Sequence, residues 1–435
     1  MKGFVSQRGS LVEAIQQWLP PQFFAPWSLR DGLFWTPQRL VWMALLMAWS
    51  AEQTLAERFD ATHDWLRQRF RRWRLGTTYT GWYEALARWD SALQPAVAKR
   101  LRRQLRDGAG RHWTRAGWCA FAADGSRVEC PRTAANEAAL GCAGKQRTTP
   151  QLFLTALWHM GTGLLWDYRI GPGTASEVRH LEAMVAVLPA QALVVADAGF
   201  AGYPLCRRLQ DAGQAFLLRV GANRQLLQRL GYVRHEGPAT VYLWPENHQD
   251  QAPLVLRLVV LRRGKQALYL LTNVLSEAAL PRESAALLYE MRWGVEVFYR
   301  SFKQTLGRRK MLSRTPQACR LELGWAVLAL WLLGVMSVAA LIARGADPLC
   351  WSVALARKAV RAALREPAPG RARRPAWAER LAEAVRDDYR RSGSKPARNW
   401  PHKKREKPPG EPKIRQATAA EVKRAIRFQD KQEAA

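Results

Sequence analysis

The stretch ALVVADAGF, residues 192–200, joins a short apolar run to an aspartate, Asp197. A short apolar run bounded by polar and glycine residues predicts a strand in the middle of an α/β sheet. The segment WCAFAADGS at 118–126 has the same form and predicts a strand that ends at Asp124. Ligands usually bind where the strands of such a sheet end, and a carboxylate buried there needs a cation to neutralise it. Both aspartates are therefore candidates for a metal site.

The segments around these two strands predict further sheet and helix. Strands are expected around 151–158 and 164–170, a helix at 176–188, a helix at 203–213 and a strand at 214–220. Between about 221 and 275 the pattern is almost wholly β, with the four runs YVRHE, TVYLW, LVLRLVVLRR and ALYLLTNV. Four alternating strands in succession predict an antiparallel insertion.

Residues 1–115 are predicted to be helical, because apolar residues recur there at three- and four-residue steps. A basic helix at 62–73, a turn at 75–78 and a second helix near Thr80 suggest a helix-turn-helix. An ordinary helical subdomain with a basic face fits this pattern equally well. After about residue 365 the chain becomes Pro- and Arg-rich, and its stretch 395–415 predicts disorder with non-specific affinity for phosphates.

The charge of the chain indicates a polyanionic partner. Lys and Arg number 67 against 36 Asp and Glu, which gives a net charge of +31. Nucleic acid is favoured over an anionic membrane surface, since neutralised phosphates release counterions. The six cysteines include no CxxC pair, and the N-terminal segment lacks the apolar run of a signal peptide. These features predict reduced thiols and a cytoplasmic protein.

One segment could belong to a membrane. Residues 325–343 form 19 consecutive residues without a charge, close to the minimum length of a membrane span. The chain offers no second span, and basic residues lie on both sides of this one. A helix buried in a globular core is therefore the favoured interpretation.

A polar stripe is predicted on a long helix from about 282 to 306. Tyr289, Arg292, Glu296 and Lys303 are separated by 3, 4 and 7 residues. At ~100° per residue these offsets place all four within roughly 60° on one helical face. Glu296 could then reach a metal shared with the two aspartates, and the basic side chains could meet phosphates. A solvated face with an Arg–Glu pair is the alternative.

The pattern Y-x2-R-x3-E-x6-K formed by these four residues resembles the signature of the YREK group of bacterial insertion-sequence DDE transposases. ADGS at 123–126 and ADAGFAGYP at 196–204 resemble the first- and second-aspartate motifs of that group. The segment 309–333 resembles the one that follows its glutamate helix, so the resemblance covers roughly residues 115–340. The group often has arginine after its second aspartate, whereas Ala198 stands here.

This resemblance implies a mixed α/β fold with a ribonuclease H-like catalytic core at 116–345 and a β-rich insertion at about 221–275. A helical DNA-binding domain at 1–115 would precede the core, and a basic, partly disordered region at 346–435 would follow it. The catalytic triad carries over to Asp124, Asp197 and Glu296, which would hold two Mg²⁺ ions, with Mn²⁺ as a substitute.

The resemblance further implies cleavage and rejoining of double-stranded DNA at terminal inverted repeats and at a target, by a homodimer. Tyr289, Arg292 and Lys303 are the candidates for phosphate contacts. Trp244 is a candidate for stacking on a flipped base, although a packed tryptophan is the more common situation. Three polar residues near the expected core are predicted to be structural: Glu177, His159 and Asp167. Two alternative functions are a catalytically inactive DNA-binding derivative and a metal-dependent nuclease without strand transfer.

Overall fold

Helices dominate the first hundred residues of the chain, and strands dominate its middle. The computed structural model describes residues 9–27, 33–142, 149–263, 266–367, 376–386 and 409–433. In chain order its helices and strands are α1 Leu11–Trp18, α2 Pro37–Trp49, α3 Leu55–Arg69, α4 Tyr79–Gly108, β1 Ala120–Glu129, α5 Ala134–Leu140, β2 Gln151–His159, β3 Leu164–Pro172, α6 Glu177–Met184, β4 Leu193–Ala196, α7 Tyr203–Asp211, β5 Ala215–Val220, β6 Gln225–Gln228, β7 Thr240–Leu243, β8 Leu254–Arg263, β9 Gln266–Thr272, α8 Arg282–Met291, α9 Trp293–Arg300, α10 Pro316–Ala343, α11 Val353–Arg365, α12 Trp377–Ala382, β10 Lys413–Gln416 and α13 Ala419–Glu433.

These elements form two compact units, each built from three separate stretches of chain. The first unit comprises Met1–Trp113, Gly125–Ser176 and Val295–Arg386, and the second comprises Thr114–Asp124, Glu177–Gly294 and Asp387–Ala435. Strand β1 and helix α9 therefore contribute residues to both units. The candidate acids follow the same division, since Asp124 and Asp197 belong to the second unit and Glu296 to the first.

The second unit contains a mixed sheet with the strand order β10-β6-β7-β8-β9-β5-β4-β1. Strands β1, β4 and β5 run parallel to one another. Strands β5 to β9 are joined by antiparallel pairing. Every residue of β4 is buried, as its apolar run predicts, and α7 provides the crossover that two parallel strands require. The prediction of a mixed α/β fold is confirmed.

Asp124 lies inside strand β1, so the prediction that the strand ends at this residue is wrong. The strand continues to Glu129. The Glu129 amide donates to the Arg309 carbonyl at 3.1 Å, and its carbonyl accepts from the Met311 amide at 2.8 Å. Asp-Gly is a common turn sequence, but these backbone hydrogen bonds to a segment far along the chain extend the strand past it.

The β-rich insertion is antiparallel, as predicted, but its first strand lies elsewhere. Strand β6 occupies Gln225–Gln228, whereas YVRHE at 232–236 forms no strand. The Glu236 carboxylate accepts hydrogen bonds from the Gly231 amide at 2.6 Å and from the Tyr242 hydroxyl at 2.5 Å. Because Glu236 closes a loop in this way, its segment cannot continue as a strand.

The C-terminal end of the chain completes the sheet of the second unit. Of the stretch 395–415 predicted to be disordered, residues 395–408 lie outside the described residues. The prediction is wrong for the last part, because β10 pairs in parallel with β6 and brings Ile414 opposite Leu226. The pairing gives the backbone groups of β10 hydrogen-bond partners in β6, and the Pro- and Lys-rich composition of this stretch does not predict such pairing.

The core of the first unit is built around α10. Trp49 of α2 donates its indole N–H to the Ala329 carbonyl at 3.1 Å, and Trp325 donates to Asp90 of α4 at 2.8 Å. In the described part of the chain α10 is the helix that is long and apolar enough to cross a membrane, and 89% of its most apolar window is buried. This burial agrees with the interpretation of 325–343 as a core helix.

His159 and Asp167 are structural residues of the first unit, as predicted. The His159 ring lies 2.8 Å from the Thr162 hydroxyl and 3.0 Å from the Trp113 carbonyl. Asp167 is 3% exposed and forms ion pairs of 2.7 Å with both Arg102 and Arg169. Each buried polar group therefore has partners within the same unit.

The predicted long helix at 282–306 is interrupted. Helix α8 ends at Met291, α9 begins at Trp293, and a π-helical turn covers Ser301–Thr305. Gly294, a weak helix former, follows the break. The angles calculated for one regular helix therefore do not hold across Arg292. The side chain of Arg292 is buried, whereas those of Glu296 and Lys303 are half-buried.

Candidate active site

Asp124 lies in β1, and Asp197 directly follows β4, the neighbouring parallel strand of the second unit. Ala122 of β1 is paired with Val195 of β4, and each aspartate comes two residues after its member of this pair. Neighbouring strands are about 4.8 Å apart, and aligned residues of parallel strands face the same side of the sheet. Both aspartates are half-buried. The pairing of β1 with β4 therefore brings the backbone segments that carry the two aspartates next to each other in this unit.

The loop after β4 brings a third carboxylate of the second unit towards Asp197. The Asp197 Oδ1 atom accepts a hydrogen bond from the Gly199 amide at 2.9 Å. A Cβ atom at Gly199 would lie 3.1 Å from this oxygen and 3.1 Å from Oε1 of Glu177. The two carboxylate oxygens are therefore separated by no more than twice that distance. Glycine at 199 leaves the space between them open.

Tyr289 lies among charged groups of the same unit. Burial raises the pKa of the Tyr289 hydroxyl, the positive charges of Arg292 and Arg219 lower it, and the negative charge of Asp197 raises it further. The Arg292 guanidinium lies 5.4 Å from the centre of the Tyr289 ring. Two of the four signature residues and the second aspartate therefore share one environment, which contains two cations suited to a phosphate.

In the first unit, Lys303 contacts the motif that follows the first aspartate. Its Nζ atom donates a hydrogen bond to the Ser126 hydroxyl at 2.7 Å. On the same helical segment, the Tyr299 hydroxyl donates to the Leu154 carbonyl of β2 at 3.0 Å. Glu296 is held one turn before Tyr299 and is half-buried. The lysine of the signature is thus tied to the ADGS segment.

The residues offer the right donor type for magnesium, but a complete ligand set is not assembled. Among the residues that the structure describes, no three His, Cys, Asp or Glu side chains lie close enough together to hold a metal ion. Carboxylate oxygens are the ligands that Mg²⁺ prefers, and Asp124, Asp197 and Glu177 supply them within one unit. The convergence of these aspartates with Glu296 stays a prediction.

A wide groove of about 1610 Å³ runs along the second unit beside α8. Four arginines and three glutamates line it: Arg219, Arg262, Arg282, Arg292, Glu283, Glu290 and Glu411. Trp293 also lines it, and this side chain is 61% exposed. A large aromatic surface next to several arginines is suited to stacking on nucleic-acid bases while phosphates are neutralised.

Trp244 is packed in the interior, which corrects its prediction as an exposed stacking residue. The side chain is 3% exposed, and its indole N–H donates to the Gln251 carbonyl at 2.7 Å. Its ring meets Phe428 of α13 edge to face, with the ring centres 6.2 Å apart. The residues next to Trp244 in the sequence could not predict its contact with Phe428, because Phe428 lies far along the chain.

The predicted helix-turn-helix corresponds to α3 and α4 of the first unit. The connecting loop 70–78 is anchored by Phe70 and Trp73, whose rings stack with centres 4.1 Å apart. Arg71, Arg72 and Arg74 of this loop are exposed. A loop that carries three exposed arginines offers a basic surface for a phosphate backbone.

The structure adds two candidate functional residues, Glu177 and Trp293. The sequence predicts a structural role for Glu177 near the core, whereas a Cβ atom at Gly199 would lie 3.1 Å from its carboxylate and from that of Asp197. Trp293 follows Arg292 directly in the signature, but exposure cannot be derived from its position in the sequence. Both residues belong to the second unit, close to groups that the sequence had already indicated.

Comparison with known proteins shows similarity to bacterial transposases. The chain is 27% identical over 231 residues to the transposase InsG for insertion sequence element IS4 of Escherichia coli K12, covering 50% of this chain and 51% of that protein. It is 29% identical over 153 residues to the protein y4zB of Sinorhizobium fredii, covering 33% of this chain and 42% of that one. The chain thus spans about half the length of these relatives.

Among solved structures, a cryo-EM structure of a piggyBac transposase synaptic complex with hairpin DNA aligns with 91% of each chain, at a TM-score of 0.41 and 12% identity. A score at this level does not establish a common fold. The match that covers the candidate site is to the model of the transposase DDE domain, at residues 116–332. Over that segment the chain is similar to the transposase DDE domain family.

Proposed function

We propose that this protein is a cut-and-paste DNA transposase that cleaves transposon ends and joins them to a target. The observation that carries the proposal is that Asp124 lies in β1 and Asp197 directly follows β4, its parallel neighbour. Both residues lie inside the segment that matches the transposase DDE domain. The proposed architecture of this segment is a ribonuclease H-like core with the β-rich insertion.

Asp124, Asp197 and Glu296 are proposed to hold two Mg²⁺ ions, and Mn²⁺ to substitute for them. When bound, such ions supply an activated water and stabilise charge on the attacking and leaving oxygens of an in-line displacement. The carboxylates hold their oxygens in place for this chemistry, and the Gly199 amide fixes one oxygen of Asp197.

Other side chains are proposed to orient the DNA strand. Arg219 and Arg292 contact the phosphate next to the cleaved bond, with Tyr289 packed against Arg292. Lys303 adds a positive charge at Ser126. Trp293, rather than Trp244, is proposed to stack on a base at the transposon end.

Double-stranded DNA is the proposed partner, both as terminal inverted repeats and as target. The loop 70–78 of the first unit would contact the duplex backbone, and the groove beside α8 would receive the end that is cut. A homodimer would pair two ends in a synaptic complex, acting at the nucleoid in the bacterial cytoplasm. The net charge of +31 supports a nucleic-acid partner.

The direct test is an assay of the purified chain with duplex DNA from both flanks of its coding region, in the presence of MgCl₂. We expect nicks that leave 3′-hydroxyl ends, followed by products in which those ends are joined to a second DNA molecule. No product is expected in EDTA. Binding without cleavage would instead indicate an inactive derivative, and cleavage without joining would indicate a nuclease.

Gly199→Ala is expected to lower the cleavage rate by roughly 10–100-fold, the usual cost of disturbing groups that support a metal ligand. The added methyl group would lie 3.1 Å from oxygens of both Asp197 and Glu177, so these carboxylates must move by a few tenths of an ångström. The measurement is the Mg²⁺ dependence of cleavage, which should shift to higher concentration.

Gly202→Ala is the matched control for this experiment. A Cβ atom at Gly202 would lie 3.7 Å from Arg224, an ordinary contact, so the rate and the Mg²⁺ dependence should stay close to those of the wild type. If Gly199→Ala behaved like this control, Asp197 and Glu177 would have no shared role in holding a cation.

A further inference from the structure

A small cavity with a largely apolar lining lies in the first unit, and none of its lining residues is used by the proposed function. It has a volume of about 40 Å³, room for a few water molecules or one small ion, since one water needs roughly 10–15 Å³. Its walls combine aromatic side chains with three charged groups: Tyr79, Trp82, Trp325, Arg58, Arg308 and Glu322.

Arg308 is the buried cation of this cavity. The side chain is 3% exposed, and one of its terminal nitrogens donates to the Ala48 carbonyl at 2.9 Å. Within the described residues its Nε atom is buried and has no hydrogen-bond partner. A buried N–H of a charged group normally has an acceptor, because the unpaired group is costly.

The surroundings of Arg308 are more positive than negative. Burial lowers the pKa of Arg308 to about 10, and the nearby charges of Arg58, Arg357 and Arg361 also lower it, whereas Glu322 raises it. Arg58 and Arg361 are held at the end of α2 by hydrogen bonds to the carbonyls of Glu52 at 2.8 Å and Ser50 at 3.2 Å. An anion in the cavity would relieve the mutual repulsion of these cations.

Glu322 requires the ligand to donate a hydrogen bond, which a fully deprotonated anion cannot do. Its Oε2 atom accepts from the backbone amides of Leu312 at 3.0 Å and Ser313 at 2.9 Å. Its Oε1 atom is buried and has no donor within the described part of the chain. A ligand must therefore accept hydrogen bonds from arginine and donate one to this carboxylate.

We propose that the cavity binds an oxyanion that retains a proton, with hydrogenphosphate as its simplest form. The unprotonated oxygens accept from Arg308 Nε and from Arg58, and the P–OH group donates to Glu322 Oε1. Sulfate has nearly the same size and charge but carries no proton at neutral pH, so it would face Glu322 with a lone pair. The site therefore discriminates between the two ions through one hydrogen bond.

The test is calorimetric titration of the full chain with inorganic phosphate and with sulfate, at constant ionic strength in chloride. We expect one phosphate per chain, and sulfate binding that is weaker by at least about tenfold, the effect of one hydrogen bond to a charged group. Absence of phosphate binding, or equal affinity for the two ions, would overturn the proposal and leave the cavity to water.

Glu322→Gln provides a gain of binding that misfolding cannot imitate. The amide oxygen can still accept from Leu312 and Ser313, while the amide nitrogen now donates to the ligand. We expect sulfate affinity to rise at least about tenfold and phosphate preference to disappear. Arg58→Gln should weaken both ions, whereas Arg88→Gln, the same change at an exposed arginine of α4, should alter neither. Unchanged sulfate affinity in Glu322→Gln would contradict the assigned role.

A phosphate at a DNA end offers the same chemistry as the free ion. The terminal monoester loses its proton near pH ~6, so 5′-phosphorylated oligonucleotides should compete for the cavity at pH 5.5 and only weakly at pH 7.5. Competition at both pH values, absent with 5′-hydroxyl oligonucleotides, would contradict the requirement for a retained proton.

Discussion

Asp197→Asn is expected to reduce DNA cleavage by at least about 1000-fold while DNA binding changes by less than about twofold. The substitution keeps the size of the side chain and its hydrogen bond from the Gly199 amide, but it removes the negative charge that would hold a divalent cation. A loss of this size corresponds to about 4 kcal/mol of transition-state stabilisation. Cleavage of end-bearing duplex DNA and electrophoretic binding assays measure the two quantities separately. Asp124→Asn and Glu296→Gln should give the same pair of results.

Asp250→Asn serves as the matched control, because this exposed aspartate belongs to the same unit and its substitution removes the same charge. It should cleave at the wild-type rate. Cleavage by Asp197→Asn at a comparable rate would show that Asp197 holds no catalytic cation, and the proposed chemistry would fail with it.

Trp244→Ala is expected to destabilise the second unit by roughly 3–5 kcal/mol, the usual cost of removing a buried tryptophan. The substitution removes the hydrogen bond to Gln251 and the contact with Phe428, which joins α13 to the insertion. A decrease of about 10 °C in the thermal midpoint of this unit is the expected signal. Hydrogen exchange should in addition become faster in α13.

Trp293→Ala is expected to lower DNA affinity without lowering the thermal midpoint of the second unit. Because Trp293 is 61% exposed, its removal should change the thermal midpoint by less than about 1 °C. Its proposed stacking on a base predicts a loss of DNA affinity of about 1–3 kcal/mol. If instead Trp244→Ala were as stable as the wild type and bound DNA poorly, the original prediction of Trp244 as a stacking residue would be restored.

Local patterns were sufficient to predict most secondary structure. The apolar run before Asp197 forms a strand that is buried throughout, as expected for a short apolar run in the middle of an α/β sheet. The insertion is antiparallel because its strands alternate and are separated by short turns. Helix α10 is apolar around its whole circumference. It therefore packs against neighbours on all sides and is buried.

Three of the errors share one cause, which is contact with residues far along the chain. Strand β1 passes through Asp124 because its end pairs with residues near 310. Trp244 is covered by Phe428, and the chain end at 413–416 becomes a strand through pairing with β6. None of these partners lies within reach of a local pattern.

The sequence alone determined which residue types carry the chemistry: two aspartates after apolar runs, a glutamate on a helix, and an excess of cations over the whole chain. Only the tertiary structure decided that the strand carrying Asp124 pairs with the strand before Asp197, that Glu177 reaches the same loop, and that Trp293 rather than Trp244 is exposed. Periodicity reports which face of one element is apolar, whereas strand register and side-chain exposure depend on elements that the chain brings together only by folding.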